Sequence, residues 1–311
     1  MGPQVRIGRS WLIGLLVPLA LVLGACSVLF PGSTGASTTW TLRVLGVDDF
    51  RGVTYGDGLF VAVGKRGAIF TSWDGVNWTK RDSKTRTDLW GVTYGNGLFV
   101  AVGDLGTILT SPDGASWTKR TSWTSNDLHS VVYGNGLFVA VGQDRIILTS
   151  RDGVNWTKNW GPGTSTRLWD VTYGNDLFVA VGWYGIILTS LDGIRWTQQT
   201  LPSGFRFNSL YGVTYGKGTF VVVERNIFTS PDGVNWTLRN LGTGNWLEGV
   251  TYGNGLFVAV GILGTILTSP DGMSWMRQAS GTSNSLYGVT YGNGRFVAVG
   301  DNGTITILTS P

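Results

Sequence analysis

Six aspartates in this chain of 311 residues share one short setting. The pattern Ser-x-Asp-Gly-x-x-Trp holds Asp74, Asp113, Asp152, Asp192, Asp232 and Asp271, each followed by Trp78, Trp117, Trp156, Trp196, Trp236 or Trp275. A carboxylate can act as nucleophile, general base or metal ligand. Six equivalent carboxylates cannot all be catalytic, however. An aspartate before glycine accepts hydrogen bonds from turn N–H groups and holds a hairpin, so a structural role is expected for all of them. His129 is the only histidine and Cys26 the only cysteine, which excludes a His or Cys metal cluster. No D-x-D-x-D-G calcium spacing, P-loop or dinucleotide fingerprint occurs. A Ser-His-Asp triad would need His129 with Asp127 and Ser130, which lie too close in one loop for the usual geometry. No metal and no cofactor are expected.

Seven other positions vary strongly in chemistry while their surroundings repeat. They are Arg51, Trp90, His129, Trp169, Tyr211, Glu248 and Tyr287. If the strands that follow are equivalent, these side chains form a ring near the channel mouth. Trp123, Trp160, Trp183, Tyr184, Phe205, Phe207 and Trp246 belong on the same side, with Lys65, Arg66, Arg86, Arg145, Arg167, Arg206 and Arg225. Aromatic rings beside guanidinium and carboxylate groups suit sugar stacking or a protein hot spot. The alternative is that the aromatics cap the structure and pack on one another. The candidate ligand-binding set is Arg51, Trp90, His129, Trp169, Trp183, Tyr184, Tyr211, Glu248 and Tyr287.

The elements that must carry these residues follow from an internal repeat. Its tyrosine recurs at Tyr55, Tyr94, Tyr133, Tyr173, Tyr215, Tyr252 and Tyr291, at steps of 39, 39, 40, 42, 37 and 39 residues. Each unit reads as four strands. Val-Thr-Tyr is followed by a Gly-Asn-Gly turn, Leu-Phe-Val-Ala-Val by an x-x-Gly hairpin, and Thr-Ile-Leu-Thr by the Pro-Asp-Gly turn into Trp-Thr-x-Arg. Seven such units predict an all-β, seven-bladed propeller. The seventh copy stops at Ser310-Pro311, and the missing strand stands at the other end as Thr39-Trp40-Thr41-Leu42-Arg43. This N-terminal strand is expected to complete the last blade and so leave no long free edge. Strand alternation puts both constant turns on one face and the variable hairpins and linkers on the other, where individuality is concentrated. Blade 5 is two residues shorter at Val223–Asn226 and blade 7 two longer within Asp301–Ile307, both expected as departures in the hairpins.

Residues 1–25 read as an address. Arg6 and Arg9 precede an apolar stretch, Trp11 to Leu23, too short for an ordinary span. Leu23-Gly24-Ala25-Cys26 resembles the lipobox of bacterial lipoproteins, which implies cleavage before Cys26 and a lipid on its thiol. A simple signal peptide with an incidental cysteine, or an uncleaved anchor, is the alternative. Residues 26–37 read as a flexible tether and 38–311 as the propeller. Losing both arginines lowers the formal charge from +4 to +2, so the pI of about 9.2 does not argue for nucleic acid. A monomer is expected, exported and held at the outer side of the cytoplasmic membrane or at the outer membrane.

The Asp turns resemble the Asp-box, or BNR, repeat, with one residue missing between Asp and Trp. The string Val100-Ala101-Val102-Gly103-Asp104-Leu105-Gly106-Thr107-Ile108-Leu109-Thr110-Ser111-Pro112-Asp113-Gly114 resembles repeats of the photosystem II stability/assembly factor family. That resemblance spans nearly all of 39–311 and implies a seven-bladed propeller. The family's arginine-rich face has no residue-by-residue match here. Three functions stay open: a non-enzymatic binding or scaffold propeller for a protein or glycan, an assembly factor for a membrane complex, and a sialidase-like glycoside hydrolase. The last would need Glu248 paired with Tyr211 or Tyr287, since Glu224 and Glu248 are the only glutamates. Sialidases are six-bladed with long insertions, which this chain lacks.

Overall fold

The computed structural model describes residues 40–46, 48–163, 166–201, 209–239 and 244–309. Residues 1–25 and 26–37, expected as leader and tether with Cys26, and Phe205, Arg206 and Phe207 lie outside these. The described strands form seven four-stranded antiparallel sheets, six of them in chain order from the inside outward, arranged as the blades of a propeller. The inner strands are Phe50–Gly56, Leu89–Gly95, Leu128–Gly134, Leu168–Gly174, Gly212–Gly216, Leu247–Gly253 and Leu286–Gly292. Each neighbours the next, and the last returns to the first, so they wall a central channel.

The seventh sheet is assembled from both ends of the chain. Trp40–Val44 pairs antiparallel with Thr304–Thr309, in the register Trp40 to Leu308 and Val44 to Thr304. The expected closure is therefore observed, and the inter-sheet core is continuous around the ring. Leu59, Val61, Val63 and Ile69 of blade 1 pack on Leu89, Phe99, Ala101, Leu109 and Trp117 of blade 2. Phe50, Phe60 and Ala62 of blade 1 pack backward on Val297, Val299 and Ile305 of blade 7. The second strands, Leu-Phe-Val-Ala-Val, are buried on both faces because a blade covers each side. This is why they read as continuous apolar runs and not as alternation.

The constant turns behave as their residues dictate. Asn96 and Gly97 both take positive φ, 49° and 74°, as a two-residue hairpin of the twisted-strand type requires. At the other turn, Asp113 Oδ1 accepts from Ser111 Oγ and from the N–H groups of Ala115 and Ser116, and Trp117 Nε1 donates to Gly114 O. The same bonds recur at Asp74, Asp152, Asp192, Asp232 and Asp271. The N–H donated from three residues on is the main reason that all six carboxyls are held below the usual range, Asp113 at about 2. These aspartates act as turn clamps in the structure.

Blade 7 corrects one expectation. Its hairpin, Asp301–Gly303, has the same short 3-10 turn as its counterparts. The two extra residues lengthen the third strand instead, to Thr304–Thr309, with unbroken pairing from Val299–Ile305 to Arg295–Thr309. Thr-Ile-Thr-Ile keeps the two-residue period, so an insertion of two leaves the side-chain faces unchanged. In blade 5 the shortening does fall in the hairpin, where a bend at Glu224–Asn226 replaces the 3-10 turn.

Candidate functional site

The seven variable residues are brought together. Six of them are the extra residue of a β-bulge at the start of an inner strand. The register of blade 2 pairs Leu89 with Gly103 and Gly91 with Val102, leaving Trp90 unopposed. Arg51, His129, Trp169, Glu248 and Tyr287 are unopposed in the same way. Tyr211 precedes a shorter strand and donates its N–H to Val223 O. A bulge turns one side chain out of the pleat, and bulges are frequent where a side chain must be re-aimed. Here seven are aimed into the channel mouth. They line a cavity of about 360 Å³ together with Ser130, Asp170 and valines of the inner strands.

The residue after each bulge decides how closely the strands approach. At Gly91 an added Cβ would stand 2.8 Å from His129 O, and at Gly249 2.4 Å from Tyr287 O. Glycine there lets the inner strands close up. Blades 3 and 4 carry Ser130 and Asp170 at the same position. Asp170 Oδ1 accepts from Ser130 Oγ at 2.6 Å and from Val171 N at 2.9 Å, while Oδ2 accepts from Val213 N at 2.8 Å. One carboxyl thus joins three inner strands. Burial pushes it up to about 6 against the pull of those hydrogen bonds.

The mouth is divided. One arc is aromatic. Trp90 meets His129 edge-on at 6.0 Å, His129 lies 4.4 Å from Trp169, and Trp169 lies 6.1 Å from both Tyr211 and Trp183. His129 is buried, and its Nδ1–H donates to Leu168 O. Burial holds the imidazole below its ordinary pKa, so the ring is neutral at pH 7. The other arc is charged. The Arg51 guanidinium stacks on Tyr287 at 4.0 Å and stands 3.9 Å from Asp301 Oδ1, whose second oxygen accepts from the Tyr287 hydroxyl. Glu248 lies between Tyr211 and Tyr287 in ring order. Burial pushes its carboxyl up to about 7, with Arg51 pulling weakly the other way.

Trp183 and Tyr184 belong to the same face but do not line the cavity. Trp183 backs Trp169, and Arg167 stacks on Trp183 at 4.8 Å. Tyr184 is 64% exposed at a hairpin tip. Trp246 packs edge-on against Tyr211 and carries Arg225 at 4.2 Å. The aromatics therefore pack on each other and also present rings to the cavity.

Several partners escaped the sequence reading. Trp90 Nε1 donates to Asp104 Oδ1 as Tyr287 donates to Asp301, each fourteen residues ahead on the blade's own hairpin. Asp49, Asp88 and Asp127 accept the backbone N–H of Asn302, Arg66 and Leu105, each from the preceding blade's hairpin. Recurrence of an aspartate two residues before the bulge was the available signal. Among the described residues, no three His, Cys, Asp or Glu side chains gather as metal ligands would.

Fold and mouth together define a seven-bladed β-propeller of short, regular loops. No family model and no curated protein matches the chain. Solved structures do. Virginiamycin B lyase from Staphylococcus aureus superposes with a TM-score of 0.78 at 14% identity, over 88% of this chain and all of that one. YCF48 bound to D1 peptide gives 0.72 at 16% identity, over 88% and 95%. The WD40 β-propeller domain of Doa1 gives 0.66 at 16%, over 87% and 96%. At such identities the likeness is one of fold, and fold alone does not choose among their functions.

Proposed function

We propose that this protein is a binding propeller whose channel mouth receives a segment of a partner protein. The carrying observation is the ring of seven re-aimed side chains around a cavity of about 360 Å³. Aromatic anchors beside a charged rim are what a protein hot spot requires. A propeller of similar fold, YCF48, holds a D1 peptide, which supports a peptide over a glycan. Cys26 would tether the domain to a membrane through lipid, in the reading that 23–26 is a lipobox. The test is a displayed peptide library panned on wild type and on the Trp90→Ala/Trp169→Ala double variant. Enrichment with wild type and its loss in the variant, at an unchanged melting temperature, is the expected result. Equal recovery by both would overturn the reading. For the tether, Cys26→Ser should move the protein out of the membrane fraction.

A hydrolase reading has one observation in its favour: Glu248 and Tyr211 share the mouth, and the Glu248 charge adds to burial in raising the Tyr211 phenol above its ordinary pKa. Arg51 is the arginine among the lining residues, where a sialidase-like site would want a cluster. Turnover of a fluorogenic sialoside, lost in Glu248→Ala, would establish it.

A further inference from the structure

Glu248 has an unmet requirement. Its carboxylate has no hydrogen bond or ion pair among the described residues, although it stands half-buried in the mouth. The reason lies in its own blade. Where blades 2 and 7 place Asp104 and Asp301 fourteen residues after the ring residue, blade 6 places Ile262, which offers no polar atom. The built-in cation whose charge acts on it is Arg51. That guanidinium is engaged on Tyr287 at 4.0 Å and against Asp301 at 3.9 Å. Burial holds the Glu248 carboxyl well above the usual carboxylate range, and the opposing pull of Arg51 does not offset it. A half-buried carboxylate without a partner is costly, and the cost is removed by a cation that arrives with the ligand.

The neighbours suit that cation. Tyr211 and Tyr287 flank Glu248 in the ring, and aromatic faces attract ammonium and guanidinium groups. Opposite stands the arc of Trp90, His129 and Trp169, an apolar wall for an alkyl stem. A charged head on an apolar stem is the build of lysine and arginine. Resting on the proposal that the mouth takes a protein segment, we infer that it selects a basic side chain of that segment. The head sits against Glu248 between Tyr211 and Tyr287, and the stem lies along Trp169 and His129. Acidic and neutral side chains lose this contact, and an acidic one is repelled.

Four capped pentapeptides test this, Gly-Gly-X-Gly-Gly with X lysine, arginine, norleucine or glutamate, titrated calorimetrically into the full propeller. The lysine and arginine peptides are expected to bind roughly tenfold more tightly than norleucine, with glutamate weakest. Glu248→Gln should erase that preference while leaving norleucine binding and the fold intact, the latter checked by melting. Trp169→Ala should weaken lysine and norleucine peptides alike. Norleucine binding as tightly as lysine, or a preference that survives Glu248→Gln, overturns the inference and leaves the peptide-binding reading standing. If the lysine peptide shows no saturable binding the inference also falls. Only a library indifferent to Trp90→Ala/Trp169→Ala removes the reading beneath it.

Discussion

Ser130 Oγ donates a 2.6 Å hydrogen bond to Asp170 Oδ1 across the boundary between blades 3 and 4. The other oxygen of Asp170 takes the N–H of Val213 in blade 5. At the equivalent positions of blades 1, 2, 5, 6 and 7 the chain has glycine, and strand backbones approach directly. The two solutions are alternatives. Where the small residue is given up, its place is filled by side chains that bond across the gap.

It follows that Asp170→Ala should be destabilising. The change leaves the Ser130 hydroxyl and the Val213 N–H without their acceptor in the channel wall, at a cost of about 1–3 kcal/mol. Ser130→Ala removes one donor and leaves two, so it should cost less. Urea unfolding of both variants measures the difference. Equal stability of Asp170→Ala and wild type would mean that solvent in the channel replaces the carboxylate.

Glu248 and Asp170 also give stability a signed dependence on pH. Their folded values, about 7 and about 6, stand above the ordinary carboxylate value near 4. The folded state then keeps these protons to higher pH than the unfolded chain does. Stability is lost as pH rises from about 4 to about 7 and is level beyond. His129, held neutral by burial, acts oppositely and regains stability as pH rises toward 6.5. Charged groups facing Glu248 are Arg51, with Tyr211 and Tyr287 beside it. Glu248→Gln isolates its share, because no hydrogen bond is lost with the carboxylate. The variant should match wild type near pH 4 and exceed it at pH 8. Melting temperatures at both values decide, and a constant gap would refute the assignment.

The repeat made the architecture legible, because a propeller needs little more than periodic strands and a closing segment. Trp40-Thr41-Leu42-Arg43 was recognisable as the missing fourth strand from its likeness to Trp117-Thr118-Lys119-Arg120. The ring residues were legible as the variable position before each inner strand. Their place near the channel mouth was legible too, but the bulge that aims them was not, since a bulge at Trp90 is a property of two strands in register and not of one. The partners Asp104 and Asp301 were hidden for a similar reason. They reach Trp90 and Tyr287 only because the hairpin curls back over the bulge. The two extra residues of blade 7 looked like loop because Thr-Ile repeats the strand's own alternation.

Ring closure carries its own expectation. Removing the chain through Arg43 strips Trp40 from the blade 6–blade 7 core and exposes the edge of Thr304–Thr309. Burial of one tryptophan is worth about 3–5 kcal/mol on truncation, before the lost strand pairing is counted. The melting temperature should fall sharply, and light scattering should report association through the free edge. An unchanged melt would argue that the pairing contributes little to the closed ring.

Asp301 sets the charge balance of the mouth. It stands 3.9 Å from Arg51 and receives the Tyr287 hydroxyl at 2.9 Å, so the guanidinium is engaged on the Asp301 side of the mouth. Asp301→Ala releases both. Arg51 is then free to turn toward Glu248, whose carboxyl already feels its charge, and an internal ion pair would compete with any cationic ligand. Lysine-peptide affinity should drop several-fold in Asp301→Ala, while the norleucine peptide binds as before. Adding Arg51→Ala to that variant removes the competitor and should restore the preference for lysine. A double variant that stays as weak as Asp301→Ala would show that Asp301 acts by shaping the hairpin and not by occupying Arg51.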